Sequence, residues 1–179
     1  MREIETKIID FDENEVRENL KKSEAKFLGT HSFKRYIFDL TRNKGEDEFL
    51  RVRTDGKETT MTYKYRRGST IDNTEEIEVK VGDFDTTAKI LSKVINQSLY
   101  QENSVEEWNY NNVIISISRW PQIPPVIEVE GETEEMVRKT IEQIGIKGKE
   151  MGNIGWESLY SYYGLDLKKI SNTKSKNLG

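Results

Sequence analysis

The residues with the clearest chemical potential are carboxylates spaced two apart, Glu3 and Glu5, Glu76 and Glu78, and Glu128 and Glu130. On a strand such a pair points to one face, close enough to share a hard cation. The six together suit one or two Mg²⁺ or Mn²⁺ ions. A second set is cationic: Lys7, Arg51, Arg53 and Lys64, with Lys80 on the face of Glu76 and Glu78. Arginine grips phosphate oxygens as a fork and lysine as a point charge. Metal-binding acids opposite phosphate-binding bases fit a polyphosphate, whose transition-state charge both would offset. A water attacking the terminal phosphorus would make a hydrolase. A ribose hydroxyl attacking the α-phosphorus would make a cyclase.

Strand alternation is what must position these groups. Apolar and polar residues alternate over approximately 2–9, 33–40, 48–54, 57–66, 74–81, 103–110, 113–119 and 126–131. In each charged strand the charges take one face and the aliphatics the other. A single strand of this kind usually has one wet face and nothing more. Here the acids gather on the first, fifth and last strands and the bases on the third and fourth, and an ordinary wet face mixes them. Asp55-Gly56 reads as a two-residue hairpin loop. It would put Arg53 opposite Glu58 and Arg51 opposite Thr60, so that Arg51, Arg53, Thr60, Thr62 and Lys64 share a surface. Asn111-Asn112 is a weaker signal of the same kind and pairs Val105 with Ser118.

Helices are expected after Asp12 (Val16, Leu20, Phe27 and Leu28 apolar, Gly29 the stop), after Asp83 or Asp85, and from Thr133 to Gly145. A fourth is expected over Trp156–Tyr163. The reading is an α+β fold: a closed eight-stranded antiparallel β-barrel, charged inside, with helices packed outside. One domain covers residues 1–167, and a frayed polar tail covers 168–179. Lys34-Arg35 and Arg66-Arg67, at strand ends, read as solvated pairs.

Composition narrows the function classes. The 179 residues contain no cysteine and one histidine, His31, which excludes disulfides, thiolate sites and Ser-His-Asp triads. A net charge of -4 gives no overall basic field, so neither nucleic acid nor membrane is expected as a partner. The lack of a long apolar run or signal-peptide core makes the cytoplasm the expected location. A monomer or homodimer is expected.

These residues resemble a known family. Glu3-Ile4-Glu5-Thr6-Lys7 is similar to the ExExK signature of the CYTH superfamily, the triphosphate tunnel metalloenzymes, which include class IV adenylate cyclases, thiamine triphosphatases and inorganic triphosphatases. Leu50-Arg51-Val52-Arg53 resembles its LRxR strand and Thr62-Tyr63-Lys64 its TxK strand. Glu76-Ile77-Glu78 and Glu128-Val129-Glu130 resemble its two later ExE strands. The resemblance implies Glu3, Glu5, Glu128 and Glu130 as metal ligands, helped by Glu78, and Lys7, Arg51, Arg53 and Lys64 as triphosphate ligands. Glu5 and Lys7 would stand closest to the chemistry, with Lys7 helping to activate water. The substrate implied is tripolyphosphate or a nucleoside or thiamine triphosphate. The alternatives are a class IV-type adenylate cyclase or a catalytically weak polyphosphate-binding module. Val105 and Ser118 depart from the family, which usually has a base and an acid there. Losing one transition-state donor costs roughly 2.7–4 kcal/mol, so slower turnover is implied.

Overall fold

A computed structural model of the chain describes residues 4–42, 46–67, 74–95 and 98–170. The elements run β1 (Ile4–Ile9), α1 (Glu13–Lys22), β2 (Lys26–Asp39), β3 (Glu46–Thr54), β4 (Thr59–Arg67) and β5 (Thr74–Lys80). They continue with α2 (Phe84–Ser92), β6 (Ser98–Tyr110), β7 (Val113–Arg119), β8 (Val126–Gly131), α3 (Glu134–Ile144), β9 (Lys149–Gly152) and α4 (Trp156–Tyr162). The class is α+β, as expected. The hydrogen-bonded sheet has nine strands in the order β5-β4-β3-β2-β6-β7-β8-β1-β9. The sheet has nine strands where eight were expected, and among the described residues hydrogen bonds do not close it into a barrel. β9 occupies the second edge of β1, pairing Ile8 with Glu150 and Ile9 with Lys149.

The chain forms two compact units, Met1–His31 with Asn103–Leu165, and Ser32–Glu102 with Asp166–Gly179. In the first, α1 and α3 bury their apolar sides on one face of the strands. Val16, Leu20, Val137 and Ile144 pack with Ile8, Ile115, Ile117, Ile127 and Val129. Helix α1 begins where expected, with Asp12 accepting from the N–H groups of Asn14 and Glu15 at 2.8 and 3.0 Å. It ends earlier than expected. Glu24 takes a positive φ of 58°, and the Ala25 N–H bonds the Leu20 carbonyl at 3.0 Å. Phe27 and Leu28 consequently belong to β2, where they are 50% and 43% exposed. Helix α3 matches its expected limits, with Thr133 as N-cap and Gly145 at φ 69° closing it.

Gly148 lets the chain return to β1. A Cβ there would lie 2.6 Å from the Ile9 carbonyl oxygen and 2.7 Å from Ile8 Cγ2. Gly148→Ala is expected to destabilise the protein by about 1–3 kcal/mol. Gly82→Ala, where an added Cβ meets nothing within 4 Å, is the control in denaturant titrations.

In the second unit α2 covers one face. Tyr36, Phe38, Val52 and Ala88 are buried, with Leu50, Met61, Phe84 and Leu91 packed around them. The β3–β4 register is Thr54 with Thr59, Arg53 with Thr60 and Arg51 with Thr62. This corrects the expected two-residue loop by two positions. Asp55 Oδ1 accepts from the N–H groups of Lys57 and Glu58 at 2.8 Å, and Thr54 Oγ1 accepts from Gly56 N–H at 3.0 Å. These side-chain bonds stabilise a four-residue connection. A slip of two preserves strand parity, so the shared face of Arg51, Arg53, Thr60, Thr62 and Lys64 stands. Within the stretch expected as a frayed tail, Lys168 to Ile170 form a turn capped by Asp166. Residues 171–179 lie outside the described residues.

Candidate functional site

In the second unit the face away from α2 is built from β2, β3, β4 and β5. Pairing sets Arg51, Thr62 and Glu78 in one row and Arg53, Thr60 and Lys80 in the next. Lys64 lies across from Glu76. Arg51 is the centre of the face and its side chain is only 14% exposed. One guanidinium nitrogen donates to Thr62 Oγ1 at 3.3 Å, and Thr62 in turn donates to Glu78 Oε2 at 2.7 Å. The Glu76 and Glu78 carboxylates stand 3.9 and 3.8 Å away, at the long end of ion pairing. Lys64 is closer to Glu76, at 2.8 Å.

Burial pushes the Arg51 pKa down, and Arg53 pushes it further. Arg51 Nε and the Thr60 hydroxyl are buried with no hydrogen-bond partner among the described residues. A buried donor without an acceptor costs free energy, and an anion would supply one. Arg53 lies with its guanidinium carbon 5.0 Å over the Phe33 ring.

In the first unit the face away from α1 and α3 carries the acids. Glu5 is paired with Glu130 and Lys7 with Glu128 across β1 and β8. Lys7 is almost fully buried. Its ammonium contacts Glu5, lies 3.5 Å from Glu128 Oε2, and sits 5.4 Å from the Trp156 ring. Ser118, itself fully buried, donates to Glu128 Oε1 at 2.6 Å. Burial pushes the Glu128 carboxyl up to about 7. Lys7 opposes that, Glu5 adds to it, and the Ser118 bond offsets part of it.

A CYTH-domain family profile matches residues 1–153. The chain belongs to the CYTH family. No curated protein matches it. Among solved structures, this CYTH chain is similar to a Pyrococcus horikoshii protein at 20% identity, covering 89% of this chain and 99% of that one with a TM-score of 0.64. It is similar to a candidate adenylate cyclase of Vibrio parahaemolyticus at 12% identity, covering 90% and 98%, TM-score 0.65. It is also similar to a candidate adenylyl cyclase of Hippeastrum described as having a dominant triphosphatase activity, at 11% identity, covering 91% and 95%, TM-score 0.56. At these identities the likeness speaks for the fold.

The CYTH chain therefore distributes the residues singled out in its sequence as follows. Arg51, Arg53 and Lys64 share one face of the second unit with Glu76 and Glu78, which stand as counter-ions to Arg51 and Lys64. Lys80 is on that face too, but 75% exposed and bonded to Glu58 at 2.5 Å. Glu5, Lys7, Glu128 and Glu130 come together in the first unit. Glu3 lies outside the described residues. Val105 is paired with Ser118, as the Asn111-Asn112 turn implied; both asparagines take positive φ, 51° and 65°.

Sequence reasoning missed Arg35. It is paired with Arg53, so β2 adds a third arginine to the cation face, where a solvated strand-end residue was expected. The signal was available in parity: Arg35 is two residues from Ile37, which lies across from Arg51. Trp156, against Lys7, had been assigned only to a helix.

Among the described residues, no three or more acids or histidines are gathered as a metal site. The donors nevertheless have the right chemistry for a hard divalent ion. Glu5, Glu128 and Glu130 offer only carboxylate oxygens, and crowding with Glu5 is one reason Glu128 holds its proton so high. Carboxylate oxygens of this kind are what a hard divalent cation takes.

Proposed function

We propose that this CYTH protein is a divalent-metal-dependent hydrolase of inorganic or organic triphosphates. The observation that carries the reading is the cation face of the second unit: Arg51, largely buried and short of acceptors, beside Arg53 and Lys64. The fold spends free energy to crowd these charges, and a polyanion is the ligand that repays it.

The roles follow from each cluster's chemistry. Arg51, Arg53 and Lys64 bind the non-bridging oxygens of the phosphate chain, with Thr62 fixing the Arg51 rotamer. Lys80, at the rim, draws the anion in. Glu5, Glu128 and Glu130, with Glu3, hold Mg²⁺ or Mn²⁺; Glu76 and Glu78 orient the cations and remain candidates for a second ion. Bound there, a divalent ion would supply charge neutralisation to phosphate oxygens. Within the first unit, Lys7 is the cation available to a phosphoryl oxygen, and Glu5, in contact with it, is the base available to an attacking water. The new bond is from water oxygen to phosphorus. The bond broken joins that phosphorus to its bridging oxygen, which leaves with its electron pair.

Phosphate release from tripolyphosphate, ATP and thiamine triphosphate, with and without Mg²⁺ or Mn²⁺, tests the reading. Metal-dependent release from at least one is expected. Cyclic AMP from ATP in place of phosphate would replace the hydrolase with a cyclase. One observation favours a second reading, a binding module that turns over slowly: the Val105–Ser118 pair contributes neither base nor acid. Tight triphosphate binding with no release would select it.

A further inference from the structure

Strand β5 ends the hydrogen-bond order, and among the described residues it pairs with β4 alone. Every residue from Glu75 to Lys80 is exposed. That includes two aliphatics, Ile77 at 60% and Val79 at 51%. An exposed aliphatic edge without proline or bulge is a template for another strand.

The ladder shows which backbone groups face outward. The Val81 N–H bonds the Thr59 carbonyl on β4 at 3.0 Å, so odd-numbered residues of this segment point their amides at β4. The N–H and C=O groups of Glu76, Glu78 and Lys80 therefore face away from it. Any added strand must bond these three.

Charge then selects a register for self-pairing. An antiparallel twofold pair centred on Glu78 opposes two carboxylates. Centred on Ile77, it opposes Glu76 and Glu78 twice. Centred on Val79, it sets Glu78 across from Lys80 of the partner subunit twice, Ile77 across from Val81 of the partner subunit, and Val79 across from its own copy. Over Ile77–Val81, only this last register joins opposite charges with no like-charge pair. It also places Glu78 and Lys80, whose amides face outward, at the hydrogen-bonded positions. We propose that β5 is a homodimer edge, through which two copies of this chain pair antiparallel about a twofold axis at Val79.

The chain has no native cysteine, so single-cysteine variants report one position each. Val79 falls at a non-hydrogen-bonded pair, where Cα atoms lie about 4.5 Å apart, within disulfide range. Sedimentation over a concentration series is expected to show a dimer of twice the 20.9 kDa chain. Val79→Cys under mild diamide oxidation is expected to cross-link faster than Ile77→Cys or the more exposed Val94→Cys. Lys80→Glu should raise the dimer Kd at least about tenfold, and Glu78→Lys with Lys80→Glu should restore it. Circular dichroism checks each variant's fold. A wild-type chain that stays monomeric throughout overturns the proposal. So does a dimer indifferent to Lys80→Glu that cross-links no faster at Val79 than at Val94.

Discussion

Replacing Arg51 and Arg53 together by alanine is expected to abolish triphosphate hydrolysis while leaving the ligand-free protein as stable as before, or slightly more so. The two halves of this result have separate causes. Arg51 is a buried cation whose charged form is disfavoured by burial and by Arg53. Its carboxylate neighbours are near 4 Å and more than 40% exposed, so they return little. Glu76 keeps Lys64 at 2.8 Å after the change, and no buried charge is orphaned. The functional loss is larger. One charged donor to a transition state is worth about 10²–10³ in rate, so the pair should cost about 10³-fold or more in kcat/KM. The readout that separates this from general damage is thermal. A ligand at a hundredfold excess over Kd adds about 2.7 kcal/mol of stability. For a chain of this size that is a Tm rise of about 5–10 °C, and the double variant should lose it. A double variant that melts early, or that still responds to tripolyphosphate, counts against the cation face as the binding surface.

The second large effect concerns Glu128. Its carboxyl is raised to about 7, chiefly by burial, against 4.5 for an ordinary glutamate. The sign follows from proton binding. Between those two pH values the unfolded chain gives up this proton and the folded protein keeps it. The contribution is therefore favourable at acid pH and is lost as the pH rises through about 7. The full span is at most about 3 kcal/mol. Glu128→Gln should remove this slope, making the ligand-free variant more stable than wild type at pH 8 and similar at pH 5. Mg²⁺ or Mn²⁺ should flatten the wild-type slope by stabilising the ionised form, and it should have less effect on the variant. Activity should fall about 10²-fold or more, since a carboxylate ligand becomes a neutral amide. Unfolding midpoints from pH 5 to 8, with and without metal, give the test. A wild-type midpoint that rises with pH over that range would contradict it.

What the sequence disclosed and what it hid divide along physical lines. Facing was legible, because side-chain direction on a strand depends only on parity. Arg51, Arg53, Thr62 and Lys64 were placed on one surface even though the turn joining their strands was misjudged. The turn itself depended on what Thr54 and Asp55 do with their side chains, and Asp-Gly propensity does not contain that. The end of α1 was misplaced because apolar periodicity runs through Phe27 and Leu28 into a strand. The stop is a left-handed residue, Glu24, where glycine would be the usual signal. Strand β9 went unseen, since four residues carry no period. The direct pairing of Glu5 with Glu130 and Lys7 with Glu128 is non-local, and only motif order hinted at it.

That placement of β1 has a consequence for synthesis. Both strands beside it, Val126–Gly131 and Lys149–Gly152, emerge from the ribosome long after it does. The nascent β1 must wait, unpaired and carrying Ile4, Ile8 and Ile9, until β8 and β9 have been translated. Pairings between such distant stretches are slow to form, and the waiting segment is open to aggregation. Glu5 and Lys7 interrupt that aliphatic run with charge, so the groups assigned to catalysis also keep the early chain soluble.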